Sequence, residues 1–143
     1  MVIDKPTLMQ LLDKLKHELN KLNSMEFDLE DILSDEDIQD LVNRRMQVAI
    51  ETCIDIATML VACLQLKRSD DAGDVFRELA RAKILTSELA EKMAKAVGFK
   101  NVLVHEYVKI DYKKVFIAKN ENLDDLRKFC VFHDPNFGIG CQF

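Results

Sequence analysis

The run from Met46 to Leu66 constrains this chain most, because it is apolar over about the length of a bilayer span. Gln47, Glu51, Asp55 and Gln65 interrupt it. Glu51 and Asp55 stand one helical turn apart, and two carboxylates at mid-depth are very costly in lipid. The run is therefore expected as a core helix of a soluble bundle rather than a membrane span. Its two acids would then either pair with Arg44, Arg45 or lysines across the bundle or a dimer interface, or line a functional cleft.

Around that helix the rest of the chain also reads as helix. Only four Gly and two Pro occur in 143 residues, so there are few breakers and room for one domain. Leu8, Leu12, Leu15, Leu19 and Leu22 recur at helical spacing and place a first helix from about Pro6 to Asn23, capped by Asp4. A short turn of helix follows at Asp28–Leu33. A long helix, about Asp35 to Leu66, opens on a Ser34/Asp37 capping arrangement, with Ile38, Leu41, Val42, Val48, Ala49, Ile56, Leu60 and Leu64 on a broad apolar face. Lys67–Gly73 reads as a loop and Asp74–Ala82 as a short helix burying Phe76, Leu79 and Ala80. Thr86 or Ser87 caps the next helix, which carries Leu89, Met93, Ala96 and Val97. Asp111 caps a last one, about Tyr112 to Phe132, with Val115, Phe116, Leu123, Leu126 and Phe129 as core. Asp134-Pro135-Asn136 stops it. The expected fold is all-α, an antiparallel four- to five-helix bundle over residues 1–134, with 135–143 as a loose tail.

Cys53, Cys63, Cys130 and Cys141 form no C-x-x-C pair and no grouping with histidine, so they read as inert or structural thiols of a reducing compartment. The amino terminus shows no secretion signal. A cytoplasmic location is expected. The net charge is −5, unevenly spread. Glu18–Asp40 holds nine acids against Lys21, whereas Val75–Lys119 holds ten Lys or Arg against five acids. A basic half within an acidic protein is compatible with a phosphate-bearing partner, and equally with an ordinary solvated Lys-rich face.

Chemistry concentrates in Gly98-Phe99-Lys100-Asn101-Val102-Leu103-Val104-His105-Glu106-Tyr107. Of the other histidines, His17 lies among charged residues and His133 at a helix end. A lone helical His usually satisfies a local hydrogen bond, but this one has polar neighbours. At about 100° per residue, Asn101 and His105 project within ~40° of each other, while Lys100 and His105 lie ~140° apart. Lys100 and His105 converge only if the helix bends or ends near Glu106, or if two copies meet across a twofold axis.

This segment, with Ile110-Asp111 after it, resembles the signature of HepT toxins in the HEPN superfamily. Upstream, Gln47 to Ala57 resembles that family's second-helix pattern, and Phe76 to Ala80 with Ile84-Leu85 its middle; the likeness spans roughly Leu8 to Phe129. It implies a HEPN-like helical bundle that forms a homodimer, with R-x-x-x-x-H motifs of both subunits in one cleft, acting as a metal-independent ribonuclease without cofactor. It also implies a minimal nucleotidyltransferase antitoxin of the MntA type, which adds AMP to the tyrosine two residues after the histidine, here Tyr107. The family's arginine position holds Lys100, a point charge in place of a planar fork.

In the mechanism so implied, His105 is the general acid or base on the ribose 2′-OH or the leaving 5′ oxygen, since an imidazole titrates near working pH. Lys100 binds the scissile phosphate, and Asn101 fixes the imidazole or donates to phosphate. RNA is the substrate because the 2′-OH is the internal nucleophile. Two other readings share the sequence. One is a catalytically weakened HEPN subunit that binds RNA or nucleotide and partners the nucleotidyltransferase; the other is a helical interaction protein without nucleotide chemistry.

Overall fold

The computed structural model describes residues 4–105 and 109–133. Among these residues there are six helices: α1 (Lys5–Ser24), α2 (Leu29–Ser34), α3 (Glu36–Cys63), α4 (Ala72–Arg81), α5 (Ser87–Val104) and α6 (Tyr112–His133). The all-α expectation holds, with one helix more than the four or five expected, because the turn after Asp28 is a closed helical unit of its own. Asp28 accepts from the Asp31 amide and Asp31 accepts from the Asp28 amide, a reciprocal capping box.

Local chemistry explains the other boundaries. The Asp4 carboxylate accepts from the Thr7 amide at 3.2 Å and from the Thr7 hydroxyl at 2.7 Å. α3 is capped by Asp35, which accepts from the Asp37 amide at 2.9 Å. Ser34 is not the cap; its hydroxyl donates back to the Glu30 carbonyl at 2.8 Å and closes α2 instead. Asp71, Thr86 and Asp111 accept from amides at the starts of α4, α5 and α6. α3 and α4 end in Schellman motifs, with the Leu66 amide on the Val61 carbonyl and the Ile84 amide on the Leu79 carbonyl, both at 2.9 Å. The left-handed residue in each is a non-glycine, Gln65 (φ 56°) and Lys83 (φ 64°).

α3 is long and apolar enough to cross a membrane by length and composition, yet it packs against all five other helices. Met46, Ala49, Ile50, Cys53, Ile56, Ala57 and Leu60 are buried along it. Leu41 and Leu64, expected on that face, are instead 45% and 39% exposed. Helix pairs meet in antiparallel order. Arg77 of α4 pairs with Glu91 of α5 at 2.8 Å, and nearer the start of α4, Gly73 lies against Ala94 further along α5. Lys92 of α5 reaches Asp125 of α6 at 3.9 Å, each about equally far from the 105–111 connection. Phe76 stacks edge-on against Phe129, with centroids 5.4 Å apart, where α4 meets α6. Leu8, Leu12, Leu15, Leu19 and Leu22 bury α1's inner face. Glu18, almost buried, receives Arg45 on both oxygens at 3.1 Å and ties α1 to α3. The tail 135–143 lies outside the described residues.

Candidate functional site

α5 carries the segment singled out in the sequence, and its last turn is oriented by two apolar anchors. Leu103 is buried and Phe99 packs against the core. One turn of spacing therefore turns Asn101 and Val104 to solvent and leaves Lys100 half-buried. The helix stops at Val104. His105 is its C-cap, in an extended conformation (φ −80°, ψ 106°), and its amide donates to the Val102 carbonyl at 3.3 Å. The ~140° that separates Lys100 and His105 on an uninterrupted helix thus no longer fixes their relation.

The site stands on an open surface of the single chain. His105 and Asn101 are exposed, and their side chains make no hydrogen bond to another described residue. Two apolar side chains flank the imidazole in the open, Val102 at 45% and Val104 at 47% exposure. Tyr107 lies outside the described residues. A cavity of about 480 Å³ edged by Lys92, Lys95, Asn120, Glu121, Asp124 and Asp125 belongs to the middle of the α5–α6 hairpin, away from His105.

Glu51 and Asp55 require a correction. Both are exposed, not buried within the apolar helix, and neither forms an ion pair with a described residue. The reason is angular. α3's core face runs through Met46, Ala49, Ile50, Cys53 and Ile56, and the remaining stripe carries Arg44, Val48, Glu51 and Asp55. Arg45, one of their expected partners, is committed to Glu18. Among the described residues no three of His, Cys, Asp or Glu group as a metal site would require. Cys53 is fully buried, and burial, with Cys130 nearby, pushes its thiol well above the ordinary range, as an inert core thiol would be.

Sequence reasoning missed one polar pair at this end of the bundle. Asn43 of α3 donates from Nδ2 to the Tyr112 hydroxyl at 2.9 Å, joining α3 to the first residue of α6. Its Oδ1 is buried without a partner among the described residues. An asparagine directly after the buried Val42 was the only local signal. The pair fixes where α6 starts, and hence one end of the connection that begins at His105.

A family model described as "Ribonuclease HepT-like" matches residues 15–131. The chain is 34% identical over 112 residues to a tRNA nuclease HepT of Aphanizomenon flos-aquae, covering 78% of this chain and 75% of that protein. It is 32% identical over 92 residues to an mRNA nuclease HepT of Shewanella oneidensis, covering 64% and 69%. Its fold matches a tri-AMPylated HEPN toxin of Shewanella oneidensis solved in complex with MNT antitoxin. That match has a TM-score of 0.80 and 26% identity, and covers 86% of this chain and 92% of that one.

Proposed function

The chain belongs to the HepT-like ribonuclease family, and from that membership we propose that it is an endoribonuclease, the toxin of a toxin–antitoxin pair. His105 carries the reading: it is an exposed imidazole at the point where α5 ends, five residues after a half-buried lysine. As general base it removes the ribose 2′-OH proton. The 2′ oxygen then attacks phosphorus, the bond to the 5′ oxygen breaks, and an acid returns a proton to that leaving oxygen. Lys100 meets the charge that gathers on the phosphate, and Asn101 orients the imidazole or donates to phosphate. No metal ion or cofactor is part of this scheme.

A homodimer supplies what one chain lacks. His105 lies on open surface, whereas electrostatic catalysis is strongest where water is excluded. The exposed Val102 and Val104 beside it gain by being covered, and a second copy packed there brings a second histidine into the same cleft. The exposed stripe of Arg44, Glu51 and Asp55 then lines that cleft. Silencing is by a minimal nucleotidyltransferase partner of the MntA type. The Tyr107 phenolic oxygen attacks the α-phosphorus of ATP, AMP is bonded to the tyrosine and pyrophosphate leaves. The AMPylated state of the Shewanella relative supports this step. The protein acts in the cytoplasm.

Lys100 favours one second reading, a catalytically weakened subunit that binds RNA or nucleotide for its nucleotidyltransferase partner, because lysine cannot grip phosphate through a planar fork. Purified protein incubated with tRNA and mRNA in chelator, beside His105→Ala and Lys100→Arg, separates them. Cleavage by the wild type that His105→Ala abolishes supports the ribonuclease. Cleavage gained only by Lys100→Arg supports the weakened subunit. Silence from all three refutes the ribonuclease and favours a helical interaction protein without nucleotide chemistry.

A further inference from the structure

Several cations that follow His105 along the chain form no ion pair with a described residue, whereas several in α4 and deeper in α5 are neutralised. Arg77 is held by Asp74 and Glu91, Arg81 by Glu78, and Lys92 by Glu88 and Asp125. At the other end of the α5–α6 hairpin, Lys109, Lys113 and Lys114 are exposed and form no ion pair with a described residue. Arg44 is exposed and unpaired in the same sense, and it follows Asn43, whose side chain touches Tyr112 at 2.9 Å. Arg44, Lys113 and Lys114 therefore lie at one end of the bundle, beside the connection that starts at His105. Asp111, just before α6, is already engaged: its carboxylate accepts from the Lys113 and Lys114 amides at 3.1 and 3.4 Å.

This arrangement does nothing for the fold. The first turn of α6 itself holds no acid; apart from the Asp111 cap it carries two lysines, against the preference for anions at a helix N-terminus. Because Asp111 occupies the free amides, an incoming anion meets ammonium and guanidinium groups on flexible stems rather than helix amides. Such groups suit a repeating phosphate chain better than one bound nucleotide, since each tracks a phosphate without demanding one geometry.

We propose that Arg44, Lys109, Lys113 and Lys114 form a strip that holds the backbone phosphates of RNA flanking the one at His105. The strip rests on the ribonuclease reading for its substrate, and it adds a binding role to residues outside the 100–107 segment. It sets substrate length as well, because an RNA too short to reach the strip loses these contacts while keeping those at Lys100 and His105.

The test measures binding of fluorescein-labelled tRNA by anisotropy between 0.05 and 0.5 M salt, with every protein in a His105→Ala background so that RNA stays intact. Each single-strand phosphate contact contributes about 0.7 to the slope of log K against log salt. Replacing Lys109, Lys113 and Lys114 by Gln is thus expected to reduce the slope by roughly 2 and to weaken binding about a hundredfold at 0.1 M salt. Arg44→Gln alone reduces the slope by about 0.7 and keeps the test open if the triple variant misfolds. Lys67, Arg68 and Lys83, at the opposite end of α3 and α5, replaced together by Gln, give the control for net charge. Equal affinity and slope in the two triple variants overturn the strip, whatever happens to cleavage. Cleavage that survives His105→Ala overturns the reading of the site, while the binding comparison still decides the strip.

Discussion

The bond between Asn43 and Tyr112 makes an ordered prediction, because its two ends are not equivalent. Tyr112→Phe removes the acceptor of the 2.9 Å bond and leaves the Asn43 amide with neither end paired, since Oδ1 is already without a partner among the described residues. Asn43→Leu removes the amide and its unpaired oxygen together, and the half-buried Tyr112 hydroxyl can turn to water. Tyr112→Phe is therefore the more damaging change. An unpaired buried polar group costs about 1–3 kcal/mol; partial exposure places this one at about 1–2 kcal/mol. Unfolding entropy near 2.1 cal/mol/K per residue, over 143 residues, gives roughly 0.3 kcal/mol/K. The melting temperature is thus expected to fall by about 3–7 °C for Tyr112→Phe, by less for Asn43→Leu, and by less than the sum for the double variant. Far-UV circular dichroism melts at one fixed protein concentration measure this, since association makes the midpoint concentration-dependent. An unchanged midpoint for Tyr112→Phe, or a double variant that loses the full sum, would refute the pairing. The same variants report on the site: if the bond holds the start of α6 beside His105, Tyr112→Phe lowers kcat for RNA cleavage more than it raises KM.

Phe129→Ala empties a fully buried position stacked on Phe76, and denaturant titration is expected to show a loss of about 3–5 kcal/mol. Burial lowers the Lys119 pKa beneath the ordinary lysine range. Between the folded and unfolded values the unfolded chain holds the extra proton, so Lys119 makes stability rise with pH in that alkaline window. The gap between the urea midpoints of wild type and Lys119→Met therefore widens in favour of wild type as pH climbs towards 10.5; a constant gap contradicts the burial. Finally, replacing Asp28, Glu30, Asp31, Asp35 and Glu36 on exposed α2 and the start of α3 by their amides is expected to tighten RNA binding several-fold at low salt, with the gain fading by 0.5 M as screening grows. An unchanged affinity at low salt would show that this face plays no part in steering RNA.

The parts of the fold that depend on short-range chemistry were legible in the sequence. The heptad-like leucines of α1, its Asp4 cap and the buried row from Leu89 to Val97 follow from spacing and side-chain type alone, while the choice of Thr86 over Ser87 as the α5 cap came from the structure. The family likeness was legible too, because the residue types and order of the 98–107 segment carry it. What failed was settled by longer-range or angular detail. Ser34 and Asp35 are both good caps, and only the pull of the Glu30 carbonyl on the Ser34 hydroxyl decides between them. α3 and α4 stop at left-handed Gln65 and Lys83, where glycine would have announced the end. Glu51 and Asp55 looked buried because their neighbours in sequence are apolar, yet a helix with a broad apolar face still leaves one stripe for solvent. Nothing in the sequence announces a contact between residues 43 and 112 on separate helices.

The apolar α3 also has a consequence in time. The ribosome finishes it before any of α4, α5 or α6 exists, and those three helices cover much of its core face. At translation speeds of about 5–20 residues per second, making the roughly 70 residues from the end of α3 to the end of α6 takes on the order of 4–14 s. For those seconds the nascent chain displays the apolar core face of α3, with only α1 and α2 to shelter it. A message cut or stalled after Cys63 would release that fragment permanently. Damage to this gene's own transcript therefore yields an aggregation-prone peptide with an uncovered apolar face rather than a harmless stub, and rapid completion of the last three helices is what keeps the protein out of that fate.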